Sequence, residues 1–270
     1  MISRALRPAW LAGLGGGLCA IAFVVALWAA MKYLAGLPSH ILPAPTAALR
    51  ALADGLLGGE FWPHIGATLG AAAIGYLIGA TVAIALAALL TLSKSAERFL
   101  YLHIVAFQSI PKIALAPLIF IWAGFGISSS ITLVALACFY PVFVNALIGF
   151  RAVDANLIDL YIAFGSSRLR IFTAVRLPSA AAQILTGLEV SIVFALIAAV
   201  VMEFVSSRAG LGYLIQNAST TLETATVFAV VLLLAIAGIA AAATVRLVRR
   251  RLVFWERDRG GQGAPILESA

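Results

Sequence analysis

Between Gly66 and Ser93 the chain runs without one charged side chain, and comparable windows recur along its length. A helix needs about 20 apolar residues to cross a bilayer. In that solvent only helices and closed barrels satisfy their own backbone. The windows are Pro8 to Met31, Gly66 to Ser93, Phe99 to Trp122, Ile131 to Phe150, Ala180 to Val205 and Thr224 to Val245. The uncharged stretch between Lys112 and Arg151 breaks at Ala123 to Ser130, which separates the third window from the fourth. Glu189 interrupts the fifth and Glu203 closes it. Apolar residues make up 63% of the chain and charged ones 11%, against about a quarter charged in soluble domains. No soluble core hides so much apolar surface. The expected fold is an all-α, polytopic membrane protein with six transmembrane helices.

Lysines and arginines set the orientation. With the N-terminus in the cytoplasm, Arg4, Arg7, Lys94, Arg98, Arg151, Arg168, Arg170 and Arg176 fall inside, as do Arg246, Arg249, Arg250, Arg251, Arg257 and Arg259. Only Lys32, Arg50 and Arg208 fall outside, and Lys112 lies within a span. The reverse topology inverts this bias. The expected location is the cell inner (plasma) membrane, with several passes and both termini cytoplasmic. The net charge of +7 meets anionic lipid headgroups of the bilayer and calls for no nucleic-acid partner. Cys19 and Cys138 both lie in spans and read as packing residues, without a disulfide or metal framework. The first apolar region exceeds the 7–15 residues of a signal peptide and reads as a retained span.

Three regions follow from this pattern. Residues 1–40 carry the N-terminal region and first transmembrane helix, and residues 41–251 a transmembrane domain with five further helices. Residues 252–270 read as a disordered cytoplasmic tail, polar and Gly-rich after Trp255. No soluble domain is expected at either end. The loop from Gly36 to Pro63 contains an amphipathic run, Thr46 to Leu57, expected along the outer membrane surface with Thr46 as its N-cap. In the second span Gly66, Gly70, Gly75, Gly79, Ala83 and Ala87 recur about four apart and allow close helix approach, within the monomer or across a dimer. The third span carries Ser109-Ile110-Pro111-Lys112 and then Pro117. Proline removes a backbone donor, so this span is expected to break, either lining a cavity or for packing.

Catalytic patterns are missing. The chain has no Gly-x4-Gly-Lys-Ser/Thr phosphate loop, no Gly-x-Ser-x-Gly elbow and no His-Glu-x2-His pair. No catalytic site of these kinds is expected in the chain, nor ATP hydrolysis through a phosphate loop. His40, His64 and His103 stand on separate segments and read as isolated interfacial or core histidines. Lys112, Glu189 and Glu203 are charges near or within the bilayer, which by default face a bundle interior or aqueous path. Mutual neutralisation, or snorkelling by Glu203, is the alternative. Together with Ser109, Pro111 and Asn145 they form the candidate translocation path.

One polar island interrupts the apolar pattern: DLYIAFGSSRLRIFTAVRLP, Asp159 to Pro178. Gly165 separates an apolar half (Leu160, Ile162, Ala163, Phe164) from a basic half (Arg168, Arg170, Arg176). Leu169, Phe172 and Val175 recur at helical spacing as an apolar face, and Pro178 is expected to stop the helix before the fifth span. Such a helix suits either a headgroup layer or a groove on a soluble protein.

The island resembles the cytoplasmic signature of bacterial ABC importer permeases, Glu-Ala-Ala-x3-Gly-x9-Ile-x-Leu-Pro. Asp159 stands at the Glu, Gly165 at the Gly, Val175 at the Ile, and Leu177-Pro178 at the end, while Leu160 and Tyr161 replace the alanines. The resemblance covers roughly residues 40–235 and is closest to the nitrate, taurine and aliphatic-sulfonate permeases. It includes LPAPTAAL (Leu42 to Leu49), SIPKIALAPLIFIWAGFGISS (Ser109 to Ser129) and MEFVSSRAGLGYLI (Met202 to Ile215). Two positions depart from the family, Ala71 and Glu189 standing where Arg is common; both changes remove positive charge, against a simple inorganic anion as cargo. The resemblance implies a cytoplasmic coupling helix between helices 4 and 5, in segment 155–178. Its contacts with a separate ATPase would be Asp159, Ala163, Phe164, Gly165, Ser166, Arg168, Leu169, Phe172, Val175, Leu177 and Pro178. It further implies that the chain is a non-catalytic transport subunit without a cofactor of its own, working with an ABC ATPase subunit dimer that binds ATP and Mg, a second copy of this chain, and a periplasmic solute-binding protein. The implied cargo is a small organic anion, with a thiamine-precursor pyrimidine or aromatic acid as the alternative. An ion-coupled secondary transporter is the rival class.

Overall fold

A computed structural model describes residues 9–253, which form helices joined by turns and short loops, with no strand among them. Arg4, Arg7, Arg257, Arg259 and the expected tail beyond Val253 lie outside the described residues. In chain order the helices are α1 (Ala9–Leu34), α2 (Pro45–Leu57), α3 (Phe61–Leu92), α4 (Lys94–Gln108) and α5 (Ala116–Ala123). They continue with α6 (Ile127–Arg151), α7 (Ala155–Ala163), α8 (Arg168–Ile171), α9 (Leu177–Ser206), α10 (Leu211–Thr220) and α11 (Thr224–Leu252).

Four described helices are long and apolar enough to cross a membrane: α3, α6, the continuous helix Arg168–Ser206, and α11. A fifth span is counted if α4 and α5 form one. The first expected span coincides with α1, whose stretch Cys19–Leu34 is a shorter apolar helix. The third is broken as its prolines require. Between Gln108 and Lys112 the path bends by 87°, and a 3-10 turn, Lys112–Leu115, leads into α5.

Two compact units share the chain. One holds, of the described residues, 9–62 and 214–233. In it the Trp28 indole of α1 donates to the Pro43 carbonyl at 3.0 Å and packs on Phe228, ring centroids 5.1 Å apart. The Thr224 hydroxyl donates to the Ser39 carbonyl at 2.6 Å. Thr46 is not the cap of α2. That position belongs to Ala44, whose side chain makes no capping bond. Pro45 opens the helix instead, because its fixed φ suits the first turn, where a backbone donor is not needed.

The other unit holds, of the described residues, 63–213 and 234–253 and is organised around α6 and α9. One buried cluster joins Ala83, Ala87 and Leu90 of α3 to Phe143, Ala146 and Phe150 of α6, with Phe172 and Ala180. A second joins Ala116 and Ile119 of α5 to Leu133 and Cys138 of α6 and to Ala195, Ala199 and Met202 of α9. Backbones approach closely where glycine allows it. A Cβ on Gly187 would lie 2.8 Å from the Asn145 Cβ and 3.0 Å from the Pro141 carbonyl oxygen. One on Gly149 would lie 3.0 Å from the Cβ atoms of Ala180 and Gln183.

The small-residue face of α3 divides in two. Gly75 abuts Val134 and the Ile131 carbonyl, Gly79 abuts the Ala135 backbone, and Ala83 and Ala87 are fully buried. Gly66 and Gly70 face open space. Replacing Gly79 by Ala should therefore lower stability by about 1–3 kcal/mol through overpacking against backbone. Gly70→Ala should be neutral or stabilising through helix propensity. Thermal unfolding of both variants in detergent checks this; equal midpoints would refute the close-approach reading.

Candidate functional site

Helix α7 and the turn that follows it owe their shape to local chemistry rather than burial. Asp154 caps α7, its carboxylate accepting the Asn156 N–H at 2.9 Å. Gly165 ends the helix at φ +73°, a conformation that costs other residues steric energy. The Gly165 N–H donates to the Ile162 carbonyl at 2.9 Å and the Ser166 N–H to the Tyr161 carbonyl at 3.0 Å, the paired bonds of a Schellman stop. Ser167 then caps α8, its hydroxyl accepting the Arg170 N–H at 3.3 Å. No residue of α7 is buried. Asp159 and Ala163 are exposed, Ser166 is half-buried, and Phe164 is 81% exposed beside the exposed Leu157, Leu160 and Ile162.

The basic half behaves differently from its spacing. Leu169, Arg168 and Arg170 are exposed, but Phe172 and Val175 turn inward, Phe172 meeting the Phe150 ring at 5.1 Å. The unpartnered apolar face therefore belongs to α7. Pro178 does not stop the helix either. Phe172–Arg176 forms a π turn in which the Leu177 N–H reaches the Phe172 carbonyl, and the helix runs on through exposed Leu177 and Pro178 into α9. The wider turn accommodates a proline that offers no donor. Arg151, the last residue of α6, pairs with Glu97 and lies 5.8 Å from the Tyr101 ring centroid, tying α4 to the end of α6.

The candidate path residues separate into three settings. Glu203 is 2% exposed and meets no cation within ion-pair distance among the described residues. Its carboxylate accepts the Thr68 hydroxyl at 2.7 Å and the Gly212 N–H at 2.7 Å. Thr68 in turn accepts the Leu211 N–H at 2.7 Å, and the His64 Nδ1 accepts the Gly210 N–H at 3.0 Å. A Cβ on Gly210 would overlap the Glu203 carboxylate, and φ +120° there also demands glycine. This knot binds α3, the end of α9 and the start of α10. Spacing named only Glu203. Thr68, His64 and the two glycines come from distant parts of the chain, and the GLG run after an acidic span end is the one local signal.

Glu189 sits elsewhere, accepting from Arg246 at 3.0 Å and Arg249 at 3.4 Å on α11. Asn145 is turned onto its own helix, donating to the Pro141 carbonyl at 2.8 Å. Ser109 and Pro111 are exposed at the break. Lys112 is half-buried beside them, donates to the Gln108 side-chain and main-chain oxygens, and lies 5.7 Å from the Tyr140 ring centroid.

The chain as a whole is similar to known proteins. A profile of the binding-protein-dependent transport system inner membrane component family covers residues 75–254, and the chain belongs to that family. It is 31% identical over 245 residues to a Bacillus subtilis protein named as an aliphatic sulfonates transport permease, covering 91% of this chain and 89% of that one. It is 30% identical to the formylaminopyrimidine transport permease protein of Halalkalibacterium halodurans, over 87% and 94% of the two chains. A chain of the MetNI methionine ABC transporter in an inward-facing conformation shares the fold, with a TM-score of 0.61 at 18% identity over 69% of this chain and 93% of that one.

The knot gives a direct expectation. Thr68→Val keeps the shape but removes both bonds of the hydroxyl, leaving Glu203 and the Leu211 N–H short of partners, and should cost about 1–3 kcal/mol. Thr68→Ser should stay near the parent. Unfolding midpoints in detergent decide it, and a Val variant as stable as Ser would exclude a structural role for the hydroxyl.

Proposed function

We propose that this chain is the membrane-spanning permease of an ATP-driven importer and that α7, with the Gly165 stop and Ser167 cap behind it, docks into a separate ATP-hydrolysing subunit. The exposed apolar face of α7 carries the reading. Isolated helices this short are marginal in water. This one is stopped at both ends by caps yet buries nothing, which suits a helix shaped to be gripped. Asp159, Ala163, Phe164 and Leu169 would form the contact, with Arg168 at its basic flank. Phe172, Val175 and Leu177-Pro178 would join that contact to α9. Because Phe172 packs on Phe150, force on α7 and α8 would pass into α6 and α9 together.

The chain offers no phosphate loop of its own, so ATP and Mg would sit in a dimer of the partner subunit. Closure of that dimer would move two copies of this chain between inward-facing and outward-facing states. The strength of such switching is set by differential binding free energy, so a loosely held α7 uncouples hydrolysis from transport. Six spans, cytoplasmic termini and delivery by a periplasmic binding protein complete the proposal. Of the candidate path residues, Ser109, Pro111 and Lys112 at the broken span would line the route, whereas Asn145, Glu189 and Glu203 each already hold an internal partner. The sulfonate relative supports a small organic anion as cargo. The formylaminopyrimidine relative supports a heterocyclic precursor as the second reading.

Proteoliposomes holding this chain alone should move no solute, and uptake should appear only with the ATPase and ATP. Gly165→Val places a β-branched residue at positive φ, at a cost of about 1–2 kcal/mol, and Arg168→Glu reverses the flank. Both should abolish uptake with membrane insertion intact. Parental uptake in both variants, or transport by the chain alone, would end the coupling proposal.

A further inference from the structure

Beside the break of the third span lies a cavity of about 200 Å3. Leu133, Ala137 and Pro141 of α6 and Phe194 and Ile197 of α9 form its apolar walls, and Gln108 and Lys112 supply its polar end. The volume equals roughly six or seven waters at 30 Å3 each, enough for a compact solute. The Lys112 ammonium donates only to Gln108 and faces the Tyr140 ring; among the described residues no carboxylate lies within ion-pair distance of it. The described acidic residues nearest in role are committed elsewhere, Glu97 to Arg151, Glu189 to Arg246 and Glu203 to Thr68. A cation at membrane depth without a counter-charge is costly and is expected to face a ligand or aqueous path. Here it faces a space whose remaining walls are hydrocarbon.

We infer that this cavity is an anion subsite, with Lys112 binding the charged head of a small organic anion and the walls of α6 and α9 taking its apolar body. The inference rests on the importer reading for its place in transport, and it names the side chain that selects cargo charge. Gln108 has two functions in it. Its side-chain oxygen holds the ammonium in place, and its amide can donate to the same head. A solute with a carboxylate or sulfonate on a short carbon chain satisfies every wall, whereas an inorganic anion leaves the hydrocarbon faces uncovered and a neutral solute leaves the ammonium unpaired.

Binding to the purified full chain in nanodiscs tests this without any ATPase, so it stands or falls separately from the coupling experiment above. The probe is radiolabelled 1-butanesulfonate, with uncharged butanamide as competitor. The parent should bind the sulfonate, and butanamide should not displace it. Lys112→Gln should weaken binding about 10- to 100-fold, the loss of one charge-assisted contact. Lys112→Arg, which keeps the charge, should bind within a few-fold of the parent and confirms that the site is folded. Nanodiscs of phosphatidylcholine are compared with nanodiscs containing phosphatidylglycerol. Unchanged affinity across the two supports a solute site, and displacement by the anionic lipid assigns the ammonium to headgroups and overturns the proposal. Equal binding by the Gln variant, competition by butanamide, or no binding to the parent would overturn it as well.

Discussion

Close backbone approach between α6 and α9, at Gly149 and Gly187, is the contact on which the larger unit is built. Within a bilayer, hydrocarbon on a neighbouring helix is no better than hydrocarbon on a lipid, so helices associate through van der Waals fit and internal hydrogen bonds. Small residues provide that fit here. The same logic places Gly75 and Gly79 of α3 against α6, after which Ala83 and Ala87 bury completely. Large aromatic residues then fill the space left at one end, where Phe143, Phe150 and Phe172 meet.

Two features on that scaffold have opposite physical character. The Glu203 knot takes a costly buried carboxylate and satisfies it with a hydroxyl and a backbone N–H, fixing α3 to the turn between α9 and α10. Helix α7 does the reverse, kept regular by the Asp154 cap and the Gly165 stop while its apolar residues stay in the open. A buried polar group held by several partners resists change. The apolar residues of α7 have no such set of partners among the described residues.

Much of this was legible in the chain, and the misses have identifiable causes. The broken third span follows from Pro111 and Pro117, and Gly165 as a helix stop follows from its place between an apolar and a basic half. Leu169, Phe172 and Val175 share helical spacing, but spacing cannot say which neighbour claims each face: Phe172 and Val175 are buried, Phe172 against Phe150, while Leu169 stays exposed. Pro178 reads as a breaker because a regular α-helix needs the donor it lacks, whereas a π turn just before it removes the conflict. Thr46 reads as a cap by type, yet the helix starts one residue earlier, at a proline. His64 reads as isolated because its partner, the Gly210 N–H, lies far along the chain.

By itself the sequence determined that the chain is helical and membrane-embedded, and roughly where its spans run. Those properties depend on hydropathy and local sterics, which are written residue by residue. Tertiary structure alone decided the fate of the membrane charges. Glu189 found arginines, Glu203 found a hydroxyl and a backbone donor, and Lys112 found a cavity. The reason is that a charge in low dielectric is defined by what stands within a few ångströms of it, and those neighbours come from helices that the chain order keeps apart.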